Sequence, residues 1–335
     1  MIKQAIEKLV DGQDLSYEEA KAAMLEIMTG QATNAQIAGY LTALRIKGET
    51  IDEITASAQT MRDTCVANDI PSDSMDIVGT GGDKSYSFNI STASSFVVAA
   101  GGVKVAKHGN KSVSSKCGAA NVLEACGANL RTSPEKAREI FEKCGFVFLH
   151  AQVYHPAMRF AGPVRGELGI RTVFNVLGPL GNPAKAEYQL LGVYSHEMVR
   201  PLCEVLAKLG AKHVIAVHGE DGLDEVSCSD RTFCVEYKDG GFTEYYVSAA
   251  DFGLPQHRKE EIVGGEPEVN AKILKGILDG EKSAYRDIVV MNSALCLCMG
   301  GKAATPEAGA RLAEELIDSG KAKATFEAYV AATNA

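Results

Sequence analysis

Near Pro71 the chain changes its period, and that switch constrains the fold more than any single motif. Upstream, segments with helical spacing each open on a capping residue and close on glycine. Ser16 with Glu19 forms a capping box before EEAKAAMLEIM, which Gly30 ends. Thr33 or Asn34 starts NAQIAGYLTALRIK, stopped by Gly48, and Thr50 with Glu53 forms a second box before IDEITASAQTMRD. Downstream, short apolar runs alternate with helical ones in the manner of βαβ units. MDIV (75–78) suits a strand, TASSFVVAAGG (92–102) a helix and VKVA (103–106) the next strand. A helix opening at Pro134 behind Ser133 and closing at Gly145 leads into the strand FVFL (146–149). YQLLGVY (188–194), MVRPLCEVLAKLG (198–210) and HVIAV (213–217) repeat the theme, and RTFCVEY and FTEYYVS flank Asp239-Gly240-Gly241 as a hairpin. The expectation is a helical domain over residues 1–70 followed by an α/β domain over 71–335.

Composition narrows the class of function. The 335 residues are 46% apolar and 23% charged, ordinary for a globular protein and far from the signature of disorder. A formal charge of −9 argues against a general nucleic-acid binder. The opening MIKQAIEKLVDGQ lacks the plan of a signal peptide, and IVVMNSALCLCM (288–299) is too short to span a bilayer and reads as a buried helix. The expected location is the cytoplasm. The nine cysteines, none in a Cys-x-x-Cys pair, are accordingly expected as reduced core thiols.

Four segments carry chemistry. GTGGDKSYSFNIST (79–92) places glycines between a strand and a helix, where backbone N–H groups and the helix N-terminus can meet an anion. It is no dinucleotide fingerprint, because Lys84 stands where the third glycine would, and no Walker loop, because no glycine precedes the lysine. Alone it is equally a tight turn. VKVAKHGNKSVSSKCG (103–118) has Lys104, Lys107, Lys111 and Lys116 with no acid, broken by Gly109 at the strand end where open α/β sheets bind ligands. HGEDGLDEVS (218–227) presents Asp224 beside Glu225, enough protein carboxylate for a magnesium ion that also binds phosphate, with Glu220 and Asp221 as less favoured alternatives. The proline- and glycine-rich stretch 155–183 reads as a hinge or a crossing between lobes, and its Arg165 can grip a carboxylate with a bidentate fork. His155 and His218 read as structural.

Taken in order, GTGGD, NIST, KHGN, SVSS, GPVRGELGIRTVFNVLGPLGNP and DEVS behind a helical N-terminal lobe resemble the anthranilate phosphoribosyltransferase family over essentially the whole chain. The resemblance implies a nucleoside phosphorylase/phosphoribosyltransferase-like fold with a central mixed sheet, and a homodimer. It implies transfer of the phosphoribosyl group of 5-phosphoribosyl 1-diphosphate to anthranilate with Mg2+, as two ions. Carried over, Gly79, Gly82, Asp83, Ser87 and the run Asn89, Ile90, Ser91 and Thr92 hold the donor. So do Lys107, His108, Gly109, Asn110, Lys111, Ser112, Val113, Ser114, Ser115 and Ala119. Gly79, Asn110 and Arg165 serve anthranilate, and Ser91, Asp224 and Glu225 hold metal. Ser87 and Lys111 keep the hydroxyl and the charge of the commoner threonine and arginine; Ala119 loses a hydroxyl, and Asn121 stands for a more usual aspartate with no effect assigned.

No general base is placed by sequence, and the aromatic amine, neutral at pH 7, needs no strong one; His108 is a candidate proton acceptor after bond formation. Rival readings are a pyrimidine nucleoside phosphorylase on the same fold and a non-catalytic relative that binds nucleic acid through its basic loop.

Overall fold

Helix caps set the first third of the chain. A computed structural model describes residues 1–112 and 116–335. In it, helices Ile2–Val10, Tyr17–Met28, Asn34–Lys47 and Ile51–Asp63 build the N-terminal domain. Ser16, Thr33 and Thr50 each accept an N–H three residues on, while Glu19, Gln36 and Glu53 reach back, so three boxes form rather than two. Glu53 is also a buried junction: its carboxylate accepts the Leu15 N–H at 2.9 Å, the Thr50 N–H at 2.7 Å and the Lys47 ammonium at 2.9 Å.

The rest of the chain wraps one seven-stranded sheet. Its strands are β1 (Met75–Gly79), β2 (Val105–Gly109), β3 (Phe146–His150), β4 (Tyr188–Gly192), β5 (His213–Gly219), β6 (Thr232–Lys238) and β7 (Gly241–Val247). They lie in the order β3-β2-β1-β4-β5-β6-β7; the first five are parallel and the last two join antiparallel, making the sheet mixed. Asp239 and Gly240, both at positive φ, close the expected hairpin as a two-residue turn, Gly241 already belonging to β7. Strand order reverses between β1 and β4, and an open sheet of this kind has its ligand crevice there.

Two expectations shift. The second strand begins and ends later than 103–106, because Lys107 and His108 continue the parallel ladder opposite Phe148 and Leu149. Both are therefore buried sheet residues and not loop residues. The stretch 155–183 is not open chain either: it forms helices Met158–Leu168 and Phe174–Leu180 with Pro163 and Pro179 inside them. Burial of Ala161, Val164, Phe174, Leu177 and Leu180 overrides the breaker signal. The helix after the glycine turn starts at Ile90, two residues early, so that NIST is its first turn. As expected, residues 288–299 lie in a largely buried helix (Ala284–Met299), and Cys203, Cys228, Cys234 and Cys296 are buried thiols; Cys65, Cys126, Cys144 and Cys298 are only half-buried.

Apolar clusters cover both faces of the sheet, as parallel strands require. One contains the helices Ile90–Ala100 and Ala284–Met299; the other fuses the N-terminal domain with the crossing helices and with Leu191, Val193, Leu202 and Leu206. Arg62 ties that second cluster together. From the end of the fourth helix its buried guanidinium donates to Leu180 O at 2.7 Å and Leu209 O at 3.2 Å. Burial pushes its pKa down to about 10, against the charge of Asp76. Arg62→Ala is expected to cost about 3 kcal/mol, because it strands two buried carbonyls. Urea unfolding measures this, and a loss below about 1 kcal/mol would contradict the role.

Candidate active site

Four of the five parallel strands end on glycine, at Gly79, Gly109, Gly192 and Gly219. At two of them the absence of a side chain is a spatial requirement. A Cβ on Gly79 would overlap the Asp224 carboxylate, and one on Gly192 would overlap the Asp224 backbone carbonyl. The acid loop after β5 thus lies directly on the ends of β1 and β4, at the switch point.

From there the other segments converge. Asp224 Oδ2 accepts the Gly81 N–H at 2.7 Å, and Glu225 Oε1 accepts the Ser91 N–H at 3.2 Å in the first turn of helix Ile90–Ala100. The Lys107 ammonium donates to Ser91 Oγ at 3.2 Å and to Ile77 O. The glycine turn, the helix N-terminus, the strand lysine and the acid pair meet at one place, although Gly79 and Glu225 stand far apart in the chain.

Its electrostatics call for a cation. Burial raises Glu225 to about 7 in spite of Lys107 and the Ser91 N–H, and raises Asp224 well above the carboxylate range, with the charges of Asp83 and Glu225 adding. Burial lowers Lys107, opposed by Asp76 and Glu225. Asp76 itself is pushed up to about 6 by burial; it accepts the His108 N–H at 3.2 Å and Asn182 Nδ2 at 2.7 Å beneath the site. The donors facing the crevice are carboxylate and hydroxyl oxygens, the set a hard ion such as Mg2+ takes.

The glycine turn is shaped for close approach. Gly81, Gly82, Lys84 and Tyr86 all have positive φ, and the last two are rare positions for residues with side chains. Outside support fixes that backbone. Ser87 bridges Val263, the Phe88 N–H donates to Ile262 O at 3.2 Å, and the Gly264 N–H donates to Tyr86 O at 2.8 Å. Arg171, stacked 3.7 Å from the Tyr194 ring centroid, donates to Gly82 O at 2.9 Å. Asp83 accepts from the Ser85 N–H and hydroxyl.

Beyond β2, Asn110 is exposed and Lys111 pairs with Glu124 at 2.9 Å. That pair is exposed on both sides, worth about 0–1 kcal/mol, and readily exchanged for a phosphate. Val113, Ser114 and Ser115 lie outside the described residues. Asn121 now has a role: its Oδ1 accepts from Ser112 N at 3.0 Å and Gly118 N at 3.1 Å, drawing the two ends of the segment together. Ala119 opens the helix Ala119–Ala125 against Gly109. Thr92 is buried, its hydroxyl without a partner among the described residues.

His108 and Arg165 face the crossing helices. His108 Nδ1 donates to Gly178 O at 3.0 Å, which leaves the lone pair on Nε2, an atom with no hydrogen-bond partner among the described residues. Burial pushes its pKa down to about 3, with His155 5.0 Å away between ring centroids adding to the effect. His155 donates to Gly181 O at 3.0 Å and His218 to Val193 O at 2.7 Å, both structural as expected. The Arg165 guanidinium lies 5.2 Å from the Phe174 ring centroid, partly buried, and makes no ion pair or hydrogen bond among the described residues. Burial lowers its pKa, and a desolvated guanidinium of this kind is short of an anion. Sequence reasoning missed Asp76, Asn182 and the role of Arg171; a charged residue inside the strand MDIV was the signal for the first.

Comparison with known proteins agrees with this geometry. Residues 71–323 match the family model "Glycosyl transferase family, a/b domain", and residues 3–65 match "Glycosyl transferase family, helical bundle domain". The chain is 53% identical over 334 residues to an anthranilate phosphoribosyltransferase of Methanobrevibacter smithii, covering 100% of both. It is 52% identical to that of Lachnoclostridium phytofermentans, covering 100% of this chain and 99% of the relative. Among solved structures, the Thermus thermophilus anthranilate phosphoribosyltransferase superposes with a TM-score of 0.93 at 42% identity, covering 99% of each chain. The Saccharomyces cerevisiae enzyme, solved in complex with PRPP (5-phosphoribosyl 1-diphosphate) and Mg, gives 0.90 at 29% identity over 99% and 98% of the two chains.

The buried acid pair has a measurable cost. Glu225, raised in the folded chain from 4.5 to about 7, contributes stability that is complete below pH 4.5 and lost as pH rises through 7. In metal-free buffer, the difference in stability between Glu225→Gln and the parent is therefore expected to grow in favour of the variant across that window. Thermal melts against pH measure it, and a pH-independent difference would contradict the assignment.

Proposed function

The chain belongs to the anthranilate phosphoribosyltransferase family, and from that premise we propose that it transfers the phosphoribosyl group of 5-phosphoribosyl 1-diphosphate to the amine of anthranilate, releasing pyrophosphate. This is the second step from chorismate to tryptophan. The observation that carries the reading is the meeting of the glycine turn, the first turn of helix Ile90–Ala100, Lys107 and the acid pair at the β1/β4 switch. The acid pair also favours a metal-bound pyrophosphate donor over the free phosphate of a phosphorylase. No basic surface is required.

In this reading the turn from Gly79 to Asp83, Ser87 and the Asn89–Thr92 run hold the ribose and its phosphates. Lys107 and the segment from His108 to Ser115, with Lys111 released from Glu124, neutralise the pyrophosphate. Ser91, Asp224 and Glu225 would hold Mg2+, as two ions. Bound there, Mg2+ stabilises negative charge on the leaving group. As the C1–O bond breaks, positive charge grows on the ribose and negative charge on the pyrophosphate, so a preorganised lysine and helix N-terminus lower the barrier.

The acceptor reading rests on Arg165, whose guanidinium lacks an internal anion beside Phe174. It would grip the anthranilate carboxylate, with Gly79 and Asn110 alongside, and align the neutral amine with the anomeric carbon. Bond formation leaves one proton to be shed from nitrogen. Solvent takes that proton as the product leaves; His108 Nε2 carries a lone pair, but burial pushes its pKa down to about 3 and its Nδ1–H is spent on Gly178 O, so it is a poor acceptor and no relay. Catalysis is by positioning and electrostatics. We further propose a boundary between domains at residues 70 and 71, a homodimer, and a cytoplasmic location.

Loss of anthranilate fluorescence with 5-phosphoribosyl 1-diphosphate and Mg2+ tests the activity; no turnover by the purified chain would refute it. Arg165→Ala is expected to raise the KM for anthranilate by about 10- to 100-fold, as loss of a charge-assisted bidentate contact should. The donor KM should stay within about twofold. Equal effects on both substrates would remove Arg165 from the acceptor site.

A further inference from the structure

The apolar helix Ala284–Met299 contains one fully buried side-chain amide, Asn292, in the run Val-Met-Asn-Ser-Ala. All of its main bonding capacity is spent, and two of its three bonds go to a single residue. Asn292 Oδ1 accepts the Val226 N–H at 3.0 Å, and Nδ2 donates to Val226 O at 3.0 Å and to Ile288 O at 2.9 Å. Only a carboxamide offers an acceptor and a donor side by side, as a neighbouring strand would, so the amide acts as one rung of a sheet for the residue that follows Glu225.

That rung meets a force. Asp224 and Glu225 are adjacent carboxylates, and both are buried. Without a cation their repulsion and their desire for water both push the loop outward. On the near side the loop is held by Gly219 N to Leu223 O at 2.8 Å, and on the far side by Ser227 N to Thr232 Oγ1 at 2.9 Å. Between these anchors, Val226 is the backbone attachment next to Glu225, and the helix behind it is locked by Gly309, where a Cβ would press on the Ala294 backbone.

We propose that Asn292 is a positioning residue for the metal-binding acid loop. It touches neither metal nor substrate; it fixes the height of Val226 so that both carboxylates stay aimed at the switch-point crevice before the ion arrives. This rests on the phosphoribosyl-transfer reading only for the identity of the ligand that brings the metal.

The test uses the full chain and reads binding without anthranilate, so that no turnover occurs. Isothermal titration of 5-phosphoribosyl 1-diphosphate at increasing Mn2+ gives the metal concentration for half-maximal donor binding. Asn292→Asp keeps size and the Val226 N–H acceptor but sets an oxygen against Val226 O. It is expected to raise that metal concentration by about 10- to 100-fold, the usual effect of losing a partner that orients metal ligands. Donor affinity at saturating Mn2+ should return to within about threefold of the parent, because the rest of the donor site is untouched. Asn292→Ser, smaller and neutral, serves if Asn292→Asp does not fold. Leu295→Ala, a cavity in the same helix, should lower the melting temperature without moving the metal requirement. An unchanged metal requirement in a folded Asn292 variant, or the same shift in Leu295→Ala, would overturn the proposal. A parent chain that binds no donor at any Mn2+ level would instead refute the functional reading.

Discussion

Everything at the functional end of this molecule depends on how closely one loop approaches two strand ends. Asp224 rests on Gly79 and Gly192 with no room for a single carbon between them. The two strands stay paired to their last residues, Gly79 opposite Gly192, and the loop seated on their ends is held from both sides by backbone. Glycine at these ends therefore has a geometric meaning apart from conformational freedom: neither residue is at positive φ. The approach puts Asp224 within reach of the Gly81 N–H and Glu225 within reach of the Ser91 N–H. The glycine turn and the acid loop are thereby joined at one point, which places backbone N–H donors and carboxylates side by side.

Charges are arranged around that contact by burial more than by pairing. Lys107 comes up through the sheet and is lowered by desolvation, while the two acids above it are raised. Asp76 lies below, bound to Asn182 and the His108 backbone. Desolvation works against the charged form of each of these groups. Electrostatic stress of this kind is relieved by the ligand, which is how a preorganised site differs from a merely polar one. The helix Phe174–Leu180 completes the enclosure: Gly178 O, Leu180 O and, just past its end, Gly181 O accept from His108, Arg62 and His155, so that this helix, the sheet and the N-terminal domain share one set of anchors.

The sequence was legible where local chemistry decides structure. The helix caps at Ser16, Thr33 and Thr50, the Asp239-Gly240 hairpin and the strands MDIV, FVFL and HVIAV all occur where the residues place them. It was misleading where tertiary packing decides. Lys107 and His108 look like loop residues after VKVA, but the partner strand extends the ladder through them. Pro163 and Pro179 look like breakers, but buried neighbours keep both segments helical. Of the site, the motif residues could be named in advance, and the structure brings Gly79, Ser91, Lys107, Asp224 and Glu225 together. What could not be read was support from distant amides. Asn121, Asn182 and Asn292 act through bonds to backbone or to Asp76 across long separations, and an asparagine carries no pattern that announces its partner. Asn292 alone left a trace, as a lone amide in an apolar run.

The central claim is that the crevice between β1 and β4 is one site for a metal and a phosphorylated sugar. A crystal structure of the chain with 5-phosphoribosyl 1-diphosphate and Mg2+ tests it most directly. The account predicts metal bound by Asp224 and Glu225, pyrophosphate against Lys107 and the first turn of helix Ile90–Ala100, and the acid loop still seated on Gly79 and Gly192. Donor density elsewhere, or metal held by phosphate with both carboxylates turned away, would contradict it.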